Sequence, residues 1–379
     1  MKVVETNFDA CLITMNELKR DARTLNIART LVKKNYSIGI IAVGTVDDVK
    51  IFKNENIQFF PVKEHESMRA WRKILNFWDD SKKYFENTKA KTYIAMDLYS
   101  LNQAFKLKKK YKGRLVYDSR EIYSALGPLH KHPVKQKIIA SFENRKIKHV
   151  DRFVVTGEMD EKYLREYFKT DKPFSIVMNL PPYKARIQAN KLREKFNIPD
   201  NKKIIIYQGE LLPGRGLVPI IESLRYFENA VFCILGIGTF KQEIIKVAEK
   251  NKASDRVILC GTVPYDELHE WTCSADVGVS FIEPISISYQ HAFPNKLFEY
   301  CMAGIPSLVS DLPAMKQITE KYSIGEAIPP ESSPGLIAEK LKELCLLGKT
   351  EKFKSLCEKA AHELCFEAQE SRVLSLIEY

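Results

Sequence analysis

Short apolar runs alternate with amphipathic segments along almost the whole chain. The first half contains seven such runs, at positions 10–15, 38–43, 57–60, 92–96, 114–117, 153–155 and 175–178. Between them lie segments such as 25–34 and 101–111, whose apolar residues stand three or four positions apart. Strand, helix and strand at this spacing predict parallel strands joined by crossover helices.

The rhythm stops at the segment MNLPPYKAR (178–186). Consecutive prolines cannot continue a helix or a central strand, so this segment is predicted to be a linker. The pattern then restarts with five further apolar runs, at 203–208, 230–235, 257–260, 277–282 and 306–309. We therefore predict two α/β domains, residues 1–181 and 182–362, with the ligand at the carboxyl ends of their strands.

The last part of the chain has a different pattern. From Lys354 to Tyr379 apolar residues recur at helical spacing without a break. We predict a C-terminal helix over residues 363–379, which either packs back on the first domain or covers the second.

Composition and cysteine use are those of a globular protein in a reducing compartment. The chain has 379 residues, of which 45% are hydrophobic and 28% are charged. Its eight cysteines form no C-x-x-C pair, and several, such as Cys233 and Cys260, lie inside apolar runs. This is typical of buried thiols rather than of disulfides or metal ligands. No stretch reaches the roughly 18 apolar residues of a membrane span, and the first residues lack a secretory pattern, so we expect a cytoplasmic protein.

The formal net charge of +11 predicts an anionic partner or a strongly solvated surface. Lysine and arginine cluster at 105–114 and 143–152, both in the first half. A nucleoside diphosphate, an anionic lipid surface and a simple basic surface are all compatible with this charge. Nucleic acid is not expected, because no aromatic RNA-binding pattern, zinc-finger spacing or basic heptad occurs.

Two segments of the second half have the pattern of anion-binding sites. In YQGELLPGRGL (207–217) a predicted strand ends in a turn that contains Gly209, Arg215 and Gly216. Small residues between a strand and a helix let backbone N–H groups approach an anion, and an arginine can add a bidentate phosphate contact. The alternative is a glycine-rich turn with an exposed arginine.

The second segment, FPNKLFEY, predicts a helix that starts near Pro294. The free N–H groups of its first turn, from Asn295 to Leu297, would face the ligand crevice with the positive end of the helix. Lys296 would add a full charge for a diphosphate, and Glu299 could accept hydrogen bonds from a ribose diol. The alternative is an ordinary helix with a surface lysine and a surface glutamate.

Polar residues of the first half also follow predicted strands. Asp97 ends TYIAMD, and Asp118, Arg120 and Glu121 follow the next strand. We predict that they lie on the acceptor side. Arg120 would stabilise charge or bind the acceptor, because arginine does not release its proton near neutral pH. Arg23, at the start of the first helix, could approach the donor phosphates; the alternative is a charged first helical turn.

These segments together resemble the retaining glycosyltransferases of family 4, which have the GT-B fold. The resemblance runs over nearly the whole chain, and PNKLFEYCMAGIPSLVSD (294–311) is its most specific part. It implies two Rossmann-like domains that face each other across a cleft. It also implies transfer of a sugar from a nucleoside diphosphate sugar to an acceptor hydroxyl, with retention and without a metal ion.

The family pattern also implies roles for single residues of the second half. Arg215 and Lys296 resemble the diphosphate-binding pair, on which catalysis would mainly depend. Glu299 resembles the ribose-binding carboxylate, and the backbone around Thr262 and Val263 would meet the base.

The resemblance implies a hexosyltransferase of cell-surface polysaccharide or glycolipid assembly that needs no cofactor besides its donor. Its partners would be the nucleotide sugar and a glycan or lipid-linked acceptor, and the basic first half would suit a peripheral position on the inner face of the plasma membrane. One alternative is an inactive relative that binds sugar nucleotides, since His291 stands where many members have the first of two glutamates. Another is a Rossmann-type oxidoreductase, which needs a complete G-x-G-x-x-G turn, whereas LGIGTFK has Lys241 in place of the third glycine.

Overall fold

The structure of the protein is a computed structural model, which describes residues 7–52, 55–65, 68–126 and 132–378. Contacts divide the chain into two compact units. The first unit contains the chain up to Asn179 and the segment from Gln369 onward, and the second contains Leu180–Ala368. Each unit has its own parallel sheet and its own hydrophobic core, in agreement with the predicted pair of Rossmann-like α/β domains.

The sheet of the first unit consists of seven parallel strands. Each of the seven apolar runs of the first half forms one of them: β1 (Asn7–Glu17), β2 (Ile38–Val43), β3 (Ile57–Val62), β4 (Lys89–Ala95), β5 (Arg114–Asp118), β6 (Arg152–Val155) and β7 (Phe174–Ile176). Their order across the sheet is β3-β2-β1-β4-β5-β6-β7. The strand order therefore reverses between β1 and β4, the position at which sheets of this type accept ligands at their carboxyl edge.

The described part of this unit has these connecting helices: α1 (Ala22–Lys33), α2 (Ala70–Ser81), α3 (Leu101–Tyr111), α4 (Pro133–Ile147) and α5 (Glu158–Phe168). Helix α1 joins β1 to β2 on one side of β1, whereas α2 joins β3 to β4 on the other side. Because such crossovers are right-handed, α1 lies on one face of the sheet, and α2, α3 and α4 lie on the opposite face.

The sheet of the second unit consists of six parallel strands: β8 (Lys203–Gln208), β9 (Ala230–Leu235), β10 (Val257–Gly261), β11 (Val277–Ser280), β12 (Ser307–Ser310) and β13 (Gly325–Ile328). Their order is β10-β9-β8-β11-β12-β13. The first five correspond to predicted runs. The sixth was not predicted, because the sequence GEAI of β13 is only partly apolar and the strand lies at the edge of the sheet, where burial is incomplete.

The helices of the second unit in the described ranges are α6 (Lys191–Phe196), α7 (Leu217–Ser223), α8 (Lys241–Lys250), α9 (Leu268–Cys273), α10 (Ile287–Gln290), α11 (Asn295–Met302), α12 (Pro313–Tyr322), α13 (Pro334–Leu347) and α14 (Glu351–Glu363). The predicted linker, residues 178–186, contains no helix or strand. In the part of the chain that the structure describes, no helix has the length and apolar character that a membrane span requires.

The C-terminal segment is not the continuous helix that its pattern predicted. After α14 the residues Leu364–Phe366 are buried without helical structure, and a 3-10 turn precedes α15 (Glu370–Leu374). The helix breaks because the chain turns inward at Phe366, whose N–H donates to the Pro181 carbonyl at 2.9 Å. Helix α15 then packs against α1 within the first unit. The C-terminal part of that unit begins at Gln369 and is therefore shorter than the predicted 363–379.

Candidate functional site

A cavity of about 310 Å³ opens in the second unit at the carboxyl ends of β8, β9 and β10. It lies beside the reversal of strand order between β8 and β11, where doubly wound sheets bind their ligands. Six residues that the sequence predicted for the donor line it: Gly209, Thr262, Val263, Asn295, Lys296 and Glu299. The cavity has four further lining residues that were not predicted from the sequence, namely Gln208, Leu235, Gly236 and Leu268.

Two glycines let the loops after β8 and β9 approach each other beside the cavity. Gly236 has a φ of +142°, and a Cβ there would lie 1.9 Å from the carbonyl oxygen of Gly209. Gly209 has a φ of +138°, and its Cβ would lie 3.3 Å from Lys296 Nζ. The half-fingerprint LGIG therefore serves close packing of the backbone at the cavity, and its place at the end of a strand was the signal that could have identified Gly236.

Helix α11 carries the predicted lysine and glutamate to the cavity. It begins at Asn295, and Pro294 precedes it in an extended conformation. Tyr300 holds the helix to the sheet, because its buried hydroxyl lies 3.2 Å from the carbonyl oxygens of Ile206 and Val279. The two strands β8 and β11 thus determine where the first turn of α11 stands.

Two of the predicted donor residues do not line the cavity. The Leu297 side chain is fully buried, and its N–H donates to the Pro294 carbonyl at 3.0 Å instead of to a ligand. Gly216 precedes α7 with a φ of +68°, and a Cβ there would lie 1.7 Å from the Phe281 carbonyl oxygen. These two predictions are corrected: both residues support the walls of the site through packing.

The Lys296 amine is buried. The residue is 9% exposed, and its Nζ lies 3.7 Å from the centroid of the Tyr207 ring. Among the described residues it has no ion-pair partner. Burial, with the charge of Arg215 as a second cause, lowers the pKa of Lys296 to about 7, and the charge of Glu299 opposes both. An anion that enters the cavity would stabilise the charged form of this lysine.

Glu299 lies in the same cavity and accepts a hydrogen bond from a neutral side chain. The donor is Nε2 of Gln208, the last residue of β8. Burial raises the pKa of the Glu299 carboxyl, while the hydrogen bond from Gln208 and the charge of Lys296 lower it. The cavity therefore presents a cation and a hydrogen-bond acceptor from one helix.

Arg215 and His291 are not among the residues that line the cavity. The guanidinium of Arg215 lies 4.9 Å from the centroid of the Tyr289 ring, and its charge is, after burial, the second cause of the lowered pKa of Lys296. His291 follows α10, and its N–H donates to the Ile287 carbonyl at 3.1 Å. The charge of Arg215 therefore acts on Lys296, and it would also attract an anion bound beside that lysine.

In the first unit, Arg23 is committed to an internal ion pair. It is 4% exposed, and its Nε and Nη2 donate to the two carboxylate oxygens of Asp118 at 2.7 and 2.8 Å. Its Nη1 donates to the Val177 carbonyl at 2.8 Å. This bidentate pair holds the start of α1 to the carboxyl end of β5. It corrects the predictions of Arg23 as a phosphate ligand and of Asp118 as a residue open to the acceptor.

Asp97 is also a structural carboxylate. It is buried, and it accepts hydrogen bonds from the N–H groups of Met15 and Ser100 at 2.9 and 2.7 Å. Burial raises its pKa, although these hydrogen bonds and the charge of Arg120 act in the opposite direction. The prediction that Asp97 meets the acceptor is therefore corrected: it ties β1 to the loop after β4.

Arg120 and Glu121 remain candidates for the acceptor side. Arg120 donates from Nη1 to Asp21 at 2.8 Å and from Nη2 to Thr24 Oγ1 at 2.7 Å, and its side chain is 15% exposed. Among the described residues its Nε has no hydrogen-bond partner. Glu121 is exposed. Both residues follow β5 at the carboxyl edge of the first sheet.

Comparison with known sequences points to one family. The sequence model of the family "Glycosyl transferases group 1" matches residues 188–362, the part of the chain that contains the cavity. The "Putative colanic acid biosynthesis glycosyl transferase WcaI" of Escherichia coli is 35% identical over 68 residues, which are 17% of this chain and 17% of that protein.

Solved structures match nearly the whole chain. The sucrose-phosphate synthase of Thermosynechococcus elongatus has a TM-score of 0.77 at 13% identity, with 97% of both chains covered. WaaG, a glycosyltransferase involved in lipopolysaccharide biosynthesis, has a TM-score of 0.68 at 14% identity, and Anabaena HepE in complex with UDP-glucose has 0.72 at 11%; each match covers 97% of this chain and 98% of the other. At these identities the likeness is one of fold. The cavity-bearing part of this chain therefore matches the group 1 glycosyl transferase model, and the whole chain has the GT-B fold of two Rossmann-like units.

Proposed function

We propose that the protein is a retaining hexosyltransferase that moves a sugar from a nucleoside diphosphate sugar to an acceptor hydroxyl without a metal ion. The observation that carries the proposal is one cavity with a buried lysine, unpaired among the described residues, and a carboxylate held by an amide. A diphosphate supplies the counter-charge of Lys296, and a ribose diol supplies donors to Glu299. The family match over the same residues supports this assignment.

The proposed reaction relies on positioning and charge rather than on a protein nucleophile. The bond from C1 of the sugar to the β-phosphate oxygen breaks while the acceptor oxygen bonds to C1 on the same face. The leaving diphosphate takes the proton of the acceptor hydroxyl. Lys296 and Arg215 stabilise the charge that develops on the leaving phosphate, and the base lies beside the backbone of Thr262 and Val263.

A thermal-shift screen with UDP-, GDP-, ADP- and dTDP-sugars tests donor binding. We expect at least one of them to raise the Tm, and Lys296→Ala to remove both the shift and donor hydrolysis. The exposed Lys250→Ala, a matched loss of one lysine charge, should leave both unchanged. Stabilisation by nicotinamide cofactors and by no sugar nucleotide would overturn the proposal.

Product analysis tests the finer statements. Retention predicts that the new glycosidic bond keeps the anomeric configuration of the donor, as read by NMR, and metal independence predicts full activity in EDTA. A donor that binds but is neither hydrolysed nor transferred would identify the inactive relative, which the histidine at position 291 favours.

We further propose that the acceptor is lipid-linked, in cell-surface polysaccharide or glycolipid assembly, and that the first unit binds the anionic inner face of the plasma membrane. Exposed apolar side chains lie in or just before the first two turns of α2 and α4: Met68, Trp71, Leu75, Val134 and Ile138. Exposed basic side chains accompany them, namely Arg69, Arg72, Lys135 and Lys137. We name these nine residues the α2/α4 surface. Apolar insertion and attraction to lipid phosphates are the two components of peripheral membrane binding.

The topology of the first sheet places this surface near the remaining acceptor candidates. Helix α2 follows β3 and α4 follows β5, so the first turns of both helices stand at the carboxyl edge, where Arg120 and Glu121 also lie. The two helices are neighbours, since the rings of Trp78 and Phe142 stack with centroids 5.6 Å apart. Helix α15 packs against α1. It therefore lies on the face of the sheet opposite to the α2/α4 surface.

Vesicle flotation tests the membrane proposal. We expect the full chain to float with vesicles of phosphatidylglycerol and phosphatidylcholine, and Trp71→Glu with Leu75→Glu to lower the bound fraction at least about tenfold. Leu346→Glu with Leu347→Glu is the matched control, because these exposed leucines lie in the second unit. Equal binding of both double variants would overturn the proposal, as would self-association through Trp71 without vesicle binding.

A further inference from the structure

A chain of three polar side chains lies behind the cavity. Thr272, in α9, is fully buried, and Gln208, at the end of β8, is 4% exposed. The Thr272 hydroxyl lies 2.9 Å from Gln208 Oε1, and Gln208 Nε2 donates to Glu299 Oε2. The chain therefore connects α9, β8 and α11 at the carboxylate that lines the cavity.

The orientation of the Gln208 amide follows from its two neighbours. An ionised carboxylate only accepts hydrogen bonds, so Glu299 requires the NH₂ group of the amide. The amide oxygen is then left to the Thr272 hydroxyl, which can donate to it. The reverse orientation would place the amide oxygen against a carboxylate oxygen. Thr272 supports the same rotamer when its one hydroxyl proton, which also has the Leu268 carbonyl oxygen as an acceptor at 2.8 Å, lies toward Gln208 Oε1.

Glu299 depends on such a donor more than a surface glutamate does. Burial disfavours its charge, and a hydrogen bond from a neutral donor offsets part of that cost. Gln208 engages Oε2, and no hydrogen bond within the described residues engages Oε1 of this cavity-lining residue. A rotation of the carboxylate away from its present orientation would also break the bond to Gln208.

We propose that Gln208, held by Thr272, is a positioning residue that aims Glu299 at the ribose hydroxyls and thereby selects ribonucleotide over deoxyribonucleotide donors. This inference rests on the proposed function, because it takes Glu299 as the ribose contact. Gln208 is not a catalytic residue in this proposal, since its effect on the donor passes through Glu299.

Calorimetric titration of the full chain with UDP and with 2′-deoxy-UDP tests the inference. We expect the wild type to prefer UDP about tenfold or more, as for a hydroxyl bonded to a charged acceptor. Gln208→Leu should weaken UDP about tenfold and should weaken 2′-deoxy-UDP, which keeps only the 3′-hydroxyl, by clearly less, so that the preference shrinks. Thr272→Val should also reduce the preference for UDP, to a smaller extent. Thr272→Ser, which keeps a hydroxyl, should show the wild-type preference.

The outcomes separate this inference from the proposed function. If Gln208→Leu weakens both nucleotides equally, Gln208 is merely a structural residue and the inference is overturned. The inference is also overturned if Gln208→Leu keeps the wild-type preference for UDP while Glu299→Gln loses it. If Gln208→Leu does not fold, the Thr272→Val and Thr272→Ser pair decides by the same comparison. A wild type that binds no nucleotide in this titration or in the sugar-nucleotide screen contradicts the proposed function itself.

Discussion

Replacement of Lys296 by methionine should stabilise the protein and remove donor binding, and the first effect should depend on pH. Methionine keeps the length and apolar character of the lysine stem, so it fills the same space beside Tyr207. The substitution removes a charge that burial disfavours. Since that charge is the proposed diphosphate contact, the same substitution also removes the main attraction for the donor.

The size of the effect follows from the pKa of Lys296. Burial, with the charge of Arg215 as a second cause, lowers this pKa from 10.5 to about 7. Between pH 7 and 10.5 the unfolded chain holds a proton that the folded chain has released, so the free energy of unfolding of the wild type rises with pH. The lowered pKa corresponds to at most about 5 kcal/mol. Relaxation around the charge reduces its cost, so the expected stabilisation by Lys296→Met is about 1–3 kcal/mol. This stabilisation is complete below pH 7 and absent above pH 10.5.

Urea unfolding of the wild type, Lys296→Met and the exposed control Lys250→Met across this pH range measures the effect. We expect Lys296→Met to exceed the wild type by about 1–3 kcal/mol at neutral pH and to converge with it near the upper end of the range. The control should parallel the wild type. Calorimetry with UDP in buffers of different ionisation enthalpy should show uptake of about one proton by the wild type. A stability difference that does not change with pH would refute the buried-charge reasoning.

Four further substitutions test structural roles. Arg23→Met leaves the buried Asp118 with only the more distant Arg120, whose Nε lies 3.7 Å from Oδ2, so it should cost about 3–5 kcal/mol in urea unfolding at unchanged UDP affinity. Lost affinity at unchanged stability would restore Arg23 as a phosphate ligand. Gly216→Ala has no room for its Cβ and should lower the Tm strongly. Gly261→Ala has a φ of +74° and no atom within 4 Å of the new Cβ, so it should cost about 1 kcal/mol. Equal losses of stability in the two variants would contradict this reasoning. Burial, opposed by a hydrogen bond from a tyrosine, raises the pKa of Glu143 to about 7. The folded carboxyl therefore keeps a proton that the unfolded carboxyl releases, and the wild type loses stability as pH rises from 4.5 to 7. Glu143→Gln should therefore raise the Tm above pH 7 and leave it unchanged near pH 4; a pH-independent change would contradict the reasoning.

The regular elements were largely predictable from the sequence. Twelve of the strands coincide with apolar runs, because burial in a parallel sheet requires a short run of apolar residues whatever the rest of the fold contains. The edge strand β13 escaped prediction because one side of it is only partly covered. The break after α14 escaped as well, since Phe366 leaves the helical pattern for a contact with Pro181, which is distant in the sequence.

The candidate site was predictable in its segments and less so in its side chains. The turn at Gly209 and the helix start at Asn295 were identified, because glycine and proline determine backbone conformation locally. Gln208 was missed, since a glutamine at a strand end has no pattern of its own. Its importance comes from Glu299, which is 91 positions away.

The sequence by itself determined the order of the elements, the proline linker and the two segments that supply half of the residues lining the cavity. These features depend on periodicity, proline and glycine, which act over a few neighbouring residues. Only the tertiary structure decided which polar side chains are open to a ligand and which neutralise one another. Arg23 looked like a phosphate ligand until the fold paired it with Asp118, 95 positions away, whereas Lys296 was left without such a partner among the described residues. The physical reason is that an ion pair is set by strand register and helix packing, which bring distant residues together and have no local signature.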